Sequence, residues 1–98
     1  MICADIHNHT VASHGLATVA EMFAAAQARK LVWYGFSEHS PLPPGYSCPL
    51  YKGDLAVTFP AYAEEVLALR EQTSSQKSGA QAQPRVLLGM ELDWLPVN

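Results

Sequence analysis

The chain has 98 residues, enough for one small domain with a core of its own. Hydrophobic residues make up 49% and charged residues 15%, proportions of a folded chain rather than a disordered one. A net charge of −3 with no Lys/Arg cluster argues against nucleic acid or an anionic membrane surface as the main partner.

Nothing before Asp5 has the n-region and h-region of a leader, and no apolar run approaches the length of a membrane span. Cys3 and Cys48 are far apart and form no C-x-x-C pair, so two free, buried thiols in a cytoplasmic protein are expected rather than a disulfide. All four histidines fall within the first 39 residues.

The first predicted strand is Cys3 to His9. Period-two alternation places Asp5, His7 and His9 on one face, with Ala4, Ile6 and Asn8 on the face where an outer helix would pack. Two imidazoles and a carboxylate on a buried strand are costly to desolvate unless partnered. A divalent transition metal offsets that cost; the alternative is a surface strand with two solvated histidines. Val11 to Ala17 read as a loop carrying His14-Gly15. Thr18-x-x-Glu21 is a capping box that opens a helix running to about Lys30, with Val19, Met22, Phe23 and Ala26 as its apolar stripe. Arg29 and Lys30 are expected in its last turn, complementing the helix dipole.

A second strand is expected from about Val32 to Ser37, running into Glu38-His39-Ser40. Pro41, Pro43, Pro44 and Gly45 then impose a long loop over 41–58, of the kind that often serves function. Lys52 is the one cation in that loop, and nothing in its spacing declares a phosphate contact. Pro60 suits the first turn of a second helix with Thr58 near its cap, burying Tyr62, Val66, Leu69 and Leu67. Residues 73–84 are polar and low in complexity, a flexible connection. The third strand is Arg85 to about Leu92, ending at Glu91-Leu92-Asp93.

Strands alternating with helices predict an α/β fold, a parallel βαβαβ unit. Sites in such sheets lie beyond the C-terminal strand ends. His7 and His9, Glu38 and His39, and Glu91 and Asp93 all fall at such ends, with His14 in a loop on the same rim. That convergence favours a metal centre. His-x-His can place both imidazoles on one metal, Glu91 can bridge two ions, and His14 with His39 can hold a further one. Asp5, deeper on the same face, is expected to accept a hydrogen bond from a ligand imidazole. Each residue also has a plainer reading. His14 can cap loop backbone, His39 can merely satisfy its strand end, and Glu91 can be a surface charge. Glu38 and Asp93 stay open between the two, as does Gly89 between close backbone approach and a bulge.

Asp5-Ile-His-Asn-His-Thr10, His14-Gly15, Ser37-Glu-His-Ser-Pro41 and Leu88-Gly-Met-Glu-Leu-Asp-Trp-Leu-Pro96 together resemble the polymerase-and-histidinol-phosphatase (PHP) superfamily. The Pro-rich loop, Tyr62-Ala-Glu-Glu65 and the Gly-x-Glu-x-Asp-aromatic-x-Pro run are most similar to its histidinol-phosphatase type. The resemblance implies a (β/α)7 TIM-like barrel with two or three divalent metal ions (Zn, Mn or Fe) at its rim. His7 and His9 would ligate one ion, Glu91 would bridge it to a second, and His14 and His39 would ligate a third. The implied reaction is hydrolysis of a small phosphomonoester, histidinol phosphate in histidine biosynthesis, with a metal-bound hydroxide as the nucleophile and no catalytic side chain identified. Family members are longer and supply further ligands from later strands. Residues 1–98 are therefore expected to be the N-terminal part of one PHP domain, partnered by the rest of that domain beyond Asn98. The competing expectations are a truncated, non-catalytic metal-binding remnant and the PHP domain of another hydrolase or of a DNA polymerase.

Overall fold

The computed structural model describes residues 3–74 and 83–93. Its elements run β1 (Ala4–Asp5), α1 (Val19–Ala28), β2 (Trp33–His39), α2 (Leu55–Ser74) and β3 (Arg85–Glu91). The three strands form one sheet in the order β1-β2-β3, parallel throughout. The βαβαβ order expected from the sequence is therefore present.

The first strand is much shorter than expected. It stops at Asp5 because the Asp5 carboxylate accepts the His7 amide at 3.2 Å, a local turn that competes with the sheet ladder. Beyond it the chain stays beside β2 through a side-chain zipper. The Asn8 amide donates to Ser37 Oγ at 2.8 Å, Ser37 Oγ donates to the Asn8 carbonyl at 3.1 Å, and Asn8 Nδ2 donates to the Gly35 carbonyl. Ala4 and Ile6 do not pack under a helix as expected: both are exposed, Ile6 by 63%.

Helix α1 starts as its capping box demands. Thr18 Oγ1 accepts the Glu21 amide, and Glu21 accepts the Thr18 amide in return. Its end is earlier than expected, so Arg29 is the C-cap and Lys30 lies past the last turn with φ of 57°. The Leu31 amide bonds to the Ala26 carbonyl and the Lys30 amide to the Gln27 carbonyl, the two bonds of a Schellman motif, with Leu31 buried behind them.

Helix α2 begins five residues before the predicted Pro60 turn. Asp54 caps it instead, its carboxylate accepting the Ala56 amide at 3.0 Å, and Pro60 sits inside the helix. Tyr62 and Val66 are buried as expected, with Leu55 added, whereas Leu67 is 46% exposed. The expected flexible connection falls partly on α2, which continues through Ser74, and residues 75–82 lie outside the described residues.

Both helices bury their apolar stripes against one face of the sheet. Val19, Phe23 and Ala26 of α1 meet Tyr62 and Val66 of α2 over Tyr34 and Phe36 of β2 and Val86 of β3. Phe36 and Val66 are fully buried. Strand β3 runs beside β2 without a bulge, Ser37 facing Gly89 and His39 facing Glu91. Gly89 answers to close approach: a Cβ there would lie 2.9 Å from the Phe36 carbonyl oxygen. Leu87, Met90 and Ile6 remain exposed on the open face and strand edges. Cys3 and Cys48 are both free; contrary to expectation neither is buried.

Lys30 occupies a left-handed position that favours glycine. Lys30→Gly is expected to stabilise the fold by about 1 kcal/mol, read as a higher urea midpoint at constant slope; an unchanged or lower midpoint would contradict this account of the cap.

Candidate metal centre

The C-terminal ends of the strands and the 9–14 loop are assembled around Glu38. This carboxylate is 0% exposed, a position that only a set of donors can sustain. Oε2 accepts the Thr10 amide at 2.9 Å and the Thr10 hydroxyl at 2.6 Å. Oε1 accepts the Ser13 hydroxyl, the His39 amide at 3.1 Å and Nδ1 of His9 at 3.2 Å. Burial pushes the Glu38 pKa up, but the hydrogen bonds from Ser13, Thr10 and the His39 amide prevail and hold it below the usual carboxylate range. Glu38 is thus an ionised anchor. It stitches the loop carrying His9 and His14 to the end of β2. From behind, its own amide donates to Tyr62 Oη, while Tyr62 donates to the Gly89 carbonyl at 3.0 Å. Burial raises the Tyr62 phenol to about 12, so it stays a neutral donor.

With Nδ1 of His9 given to Glu38, Nε2 of His9 is the free nitrogen. It lies 3.4 Å from Glu91 Oε1, and Nε2 of His7 lies 2.8 Å from the same oxygen. Glu91 Oε1 is buried and has no hydrogen-bond partner. A buried carboxylate oxygen approached by two imidazole nitrogens without hydrogen-bond geometry is what a cation between the three would leave. The donors fit a divalent metal.

On the other side of the cluster, Nε2 of His14 and Nε2 of His39 face each other at 3.0 Å. The His9 and His39 rings stack, with centroids 4.4 Å apart at an interplanar angle of 14°. Glu91 Oε2 lies 3.5 Å from His39 Nδ1, as their facing positions in the β2–β3 register require. Three overlapping sets of donors result: His7, His9 and Glu91; His9, His14 and His39; and His39, Glu91 and Asp93, each with atoms within 4.8 Å of one another. Each set offers three donor atoms, fewer than a closed four-coordinate site has, so an ion held by one of them would keep a position for water or substrate.

Of the residues singled out from the sequence, His7, His9, His14, His39 and Glu91 are brought together. Asp5 is not: it is exposed and holds the backbone amide of His7 rather than an imidazole. Asp93, left open in the sequence, accepts from His39 Nδ1 at 3.2 Å and from the Tyr51 hydroxyl at 3.0 Å. Burial and then Asp93 push the Tyr51 phenol well above its ordinary value, so it too remains a donor. Thr10, Ser13 and Tyr51 went unrecognised in the sequence, and Lys52 was noted only as the cation of its loop, with no partner assigned. A hydroxyl that will bond a carboxylate 28 residues away carries no local signature, and for Tyr51 the only hint was the length of its loop.

A parallel α/β sheet with imidazoles and carboxylates gathered on its C-terminal rim is a scaffold whose donors could hold a divalent metal. The family model of the PHP domain matches residues 5–97, and the chain belongs to the PHP domain family. That family is one of metal-dependent phosphoesterases whose members bind divalent metals. No curated protein and no solved structure matches the chain. Among the described residues no helix is long and apolar enough to cross a membrane.

Glu38→Gln removes one acceptor oxygen and puts an amide donor among donors. It is expected to cost about 2–4 kcal/mol of stability in urea unfolding and to weaken zinc binding about 10- to 100-fold by releasing His9. A variant as stable and as zinc-competent as the wild type would contradict the anchoring role.

Proposed function

We propose that this chain carries one side of the active site of a metal-dependent phosphomonoesterase of the histidinol-phosphatase type, converting histidinol phosphate to histidinol and phosphate in histidine biosynthesis in the cytoplasm. The observation that carries the reading is the buried, unbonded Glu91 Oε1 between the Nε2 atoms of His7 and His9. In the proposed arrangement His7 and His9 would hold one ion, with Glu91 shared between it and a second, and His14 and His39 would hold a third. Imidazoles and carboxylates without thiolate suit zinc, manganese or iron.

Charge supports the same chemistry. Three carboxylates, Glu38, Glu91 and Asp93, stand on the rim, and Lys52 is engaged by the Gly15 carbonyl at 2.7 Å. Such a rim suits a dication better than a phosphate ester. Divalent ions held by His7, His9, His14, His39 and Glu91 would supply the positive charge that phosphoryl oxygens need and would lower the pKa of a bound water. The side chains supply alignment: Glu38 fixes the ring of His9, and Asp5 fixes the turn that presents His7.

The exposed Leu87, Met90 and Ile6 support a sheet continued by further strands, with residues 1–98 as the N-terminal part of a (β/α)7 barrel whose later strands complete the metal shells. The test is phosphate release by the protein expressed from its whole reading frame. Histidinol phosphate is expected to be hydrolysed with Mn²⁺ or Zn²⁺ added, not after chelation, and not by His7→Ala/His9→Ala. A metal-loaded preparation inactive on every phosphomonoester would overturn the reading; activity on other monoesters alone would overturn the substrate.

A further inference from the structure

The proline-rich loop between β2 and α2 is not a free flap. Pro43 to Tyr46 make a turn with Gly45 at φ of 90°, closed by the Tyr46 amide on the Pro43 carbonyl at 3.1 Å. A second turn, the Tyr51 amide on the Cys48 carbonyl at 3.1 Å, then delivers Tyr51 and Lys52 to the rim. Both make contacts that bear on metal donors.

Lys52 holds the chain on either side of His14. Its amide donates to the Ser13 carbonyl at 2.8 Å, and its ammonium donates to the Gly15 carbonyl at 2.7 Å. Tyr51 acts on the other imidazole of the same pair. Its hydroxyl donates to Asp93 Oδ2 at 3.0 Å, and Asp93 Oδ1 faces His39 Nδ1 at 3.2 Å. The Tyr51 ring also lies against that of His39, centroids 4.9 Å apart, and parallel within 18° to that of His14 at 6.2 Å. Both oxygens of Asp93 are thus taken by donors, which makes it an acceptor that orients His39 rather than a free ligand. A neutral imidazole carries one ring proton, so a proton on Nδ1 toward Asp93 leaves Nε2 of His39 as a lone pair aimed at Nε2 of His14.

We propose that Tyr51 and Lys52 form a positioning clamp for the His14/His39 metal position, so that occupancy of this position and closure of the 41–54 loop are coupled. The proposal rests on the metal-centre reading above. Coupling of this kind is reciprocal: if the closed loop raises metal affinity, bound metal must hold the loop closed.

The experiment uses the full chain, titrated with Co²⁺ and followed by its visible absorption, with hydrogen exchange of residues 41–54 measured with and without Co²⁺. His14→Ala/His39→Ala marks the equivalent that belongs to this position by losing it. Tyr51→Phe, which removes one hydroxyl, and Lys52→Met are each expected to weaken that equivalent about tenfold, leaving any other unchanged. Lys52→Arg is expected to restore it. Co²⁺ should slow exchange across 41–54 in the wild type and fail to do so in Tyr51→Phe. Wild-type affinity in both Tyr51→Phe and Lys52→Met would overturn the clamp while leaving the metal centre standing. Weakening of every equivalent alike would reduce both residues to a general structural role and overturn it equally. A wild-type chain that binds no Co²⁺ would overturn the metal-centre reading and the clamp together.

Discussion

A buried anion holds this rim together. Glu38 sits at the end of β2 with no solvent, and a carboxylate there is tolerable only because five donors converge on it. Four of those five donors belong to the 9–13 loop, so satisfying Glu38 also fixes where His9 and His14 stand. The fold needs the charge neutralised by hydrogen bonds, and the site needs the same loop in one place. One network meets both demands, which is why the loop needs no regular structure to be well positioned.

The arrangement also settles which atom of each imidazole faces the centre. Glu38 takes Nδ1 of His9, and Asp93 takes Nδ1 of His39, so in both rings Nε2 is the nitrogen left over. His7 and His14 point Nε2 the same way, toward Glu91 and His39. A cluster whose Nε2 atoms and carboxylate oxygens are turned toward one another suits a dication better than an anionic ester. The chemistry of a metal-dependent phosphoesterase family follows from that polarity, not from any single residue.

Most of the architecture was legible because period and capping speak locally. The capping box at Thr18 and Glu21, the apolar stripe of α1, the bounds of β3 and the parallel order all emerge from neighbouring residues. The errors lie where a side chain competes with backbone. Asp5 turns the chain out of β1 by taking the His7 amide, and Asp54 starts α2 ahead of Pro60, whose position suggested a later beginning. Of the candidate site, the gathering of His7, His9, His14, His39 and Glu91 on one rim was legible because strand ends of a parallel sheet, and the loops beside them, share that rim. Thr10, Ser13 and Tyr51 were invisible and the contacts of Lys52 unreadable, since each matters only through a partner distant in sequence, and Asp93 acquired a role only once Tyr51 was beside it.

The central claim is that Nε2 atoms of two histidine pairs, with Glu91, are metal donors. Anomalous X-ray diffraction from crystals of the zinc-loaded protein tests it directly. The account predicts one anomalous peak about 2.0–2.2 Å from Nε2 of His7, Nε2 of His9 and Glu91, and another at the same distance from Nε2 of His14 and Nε2 of His39. Zinc bound elsewhere, or bound through the Nδ1 atoms that Glu38 and Asp93 occupy, would contradict it.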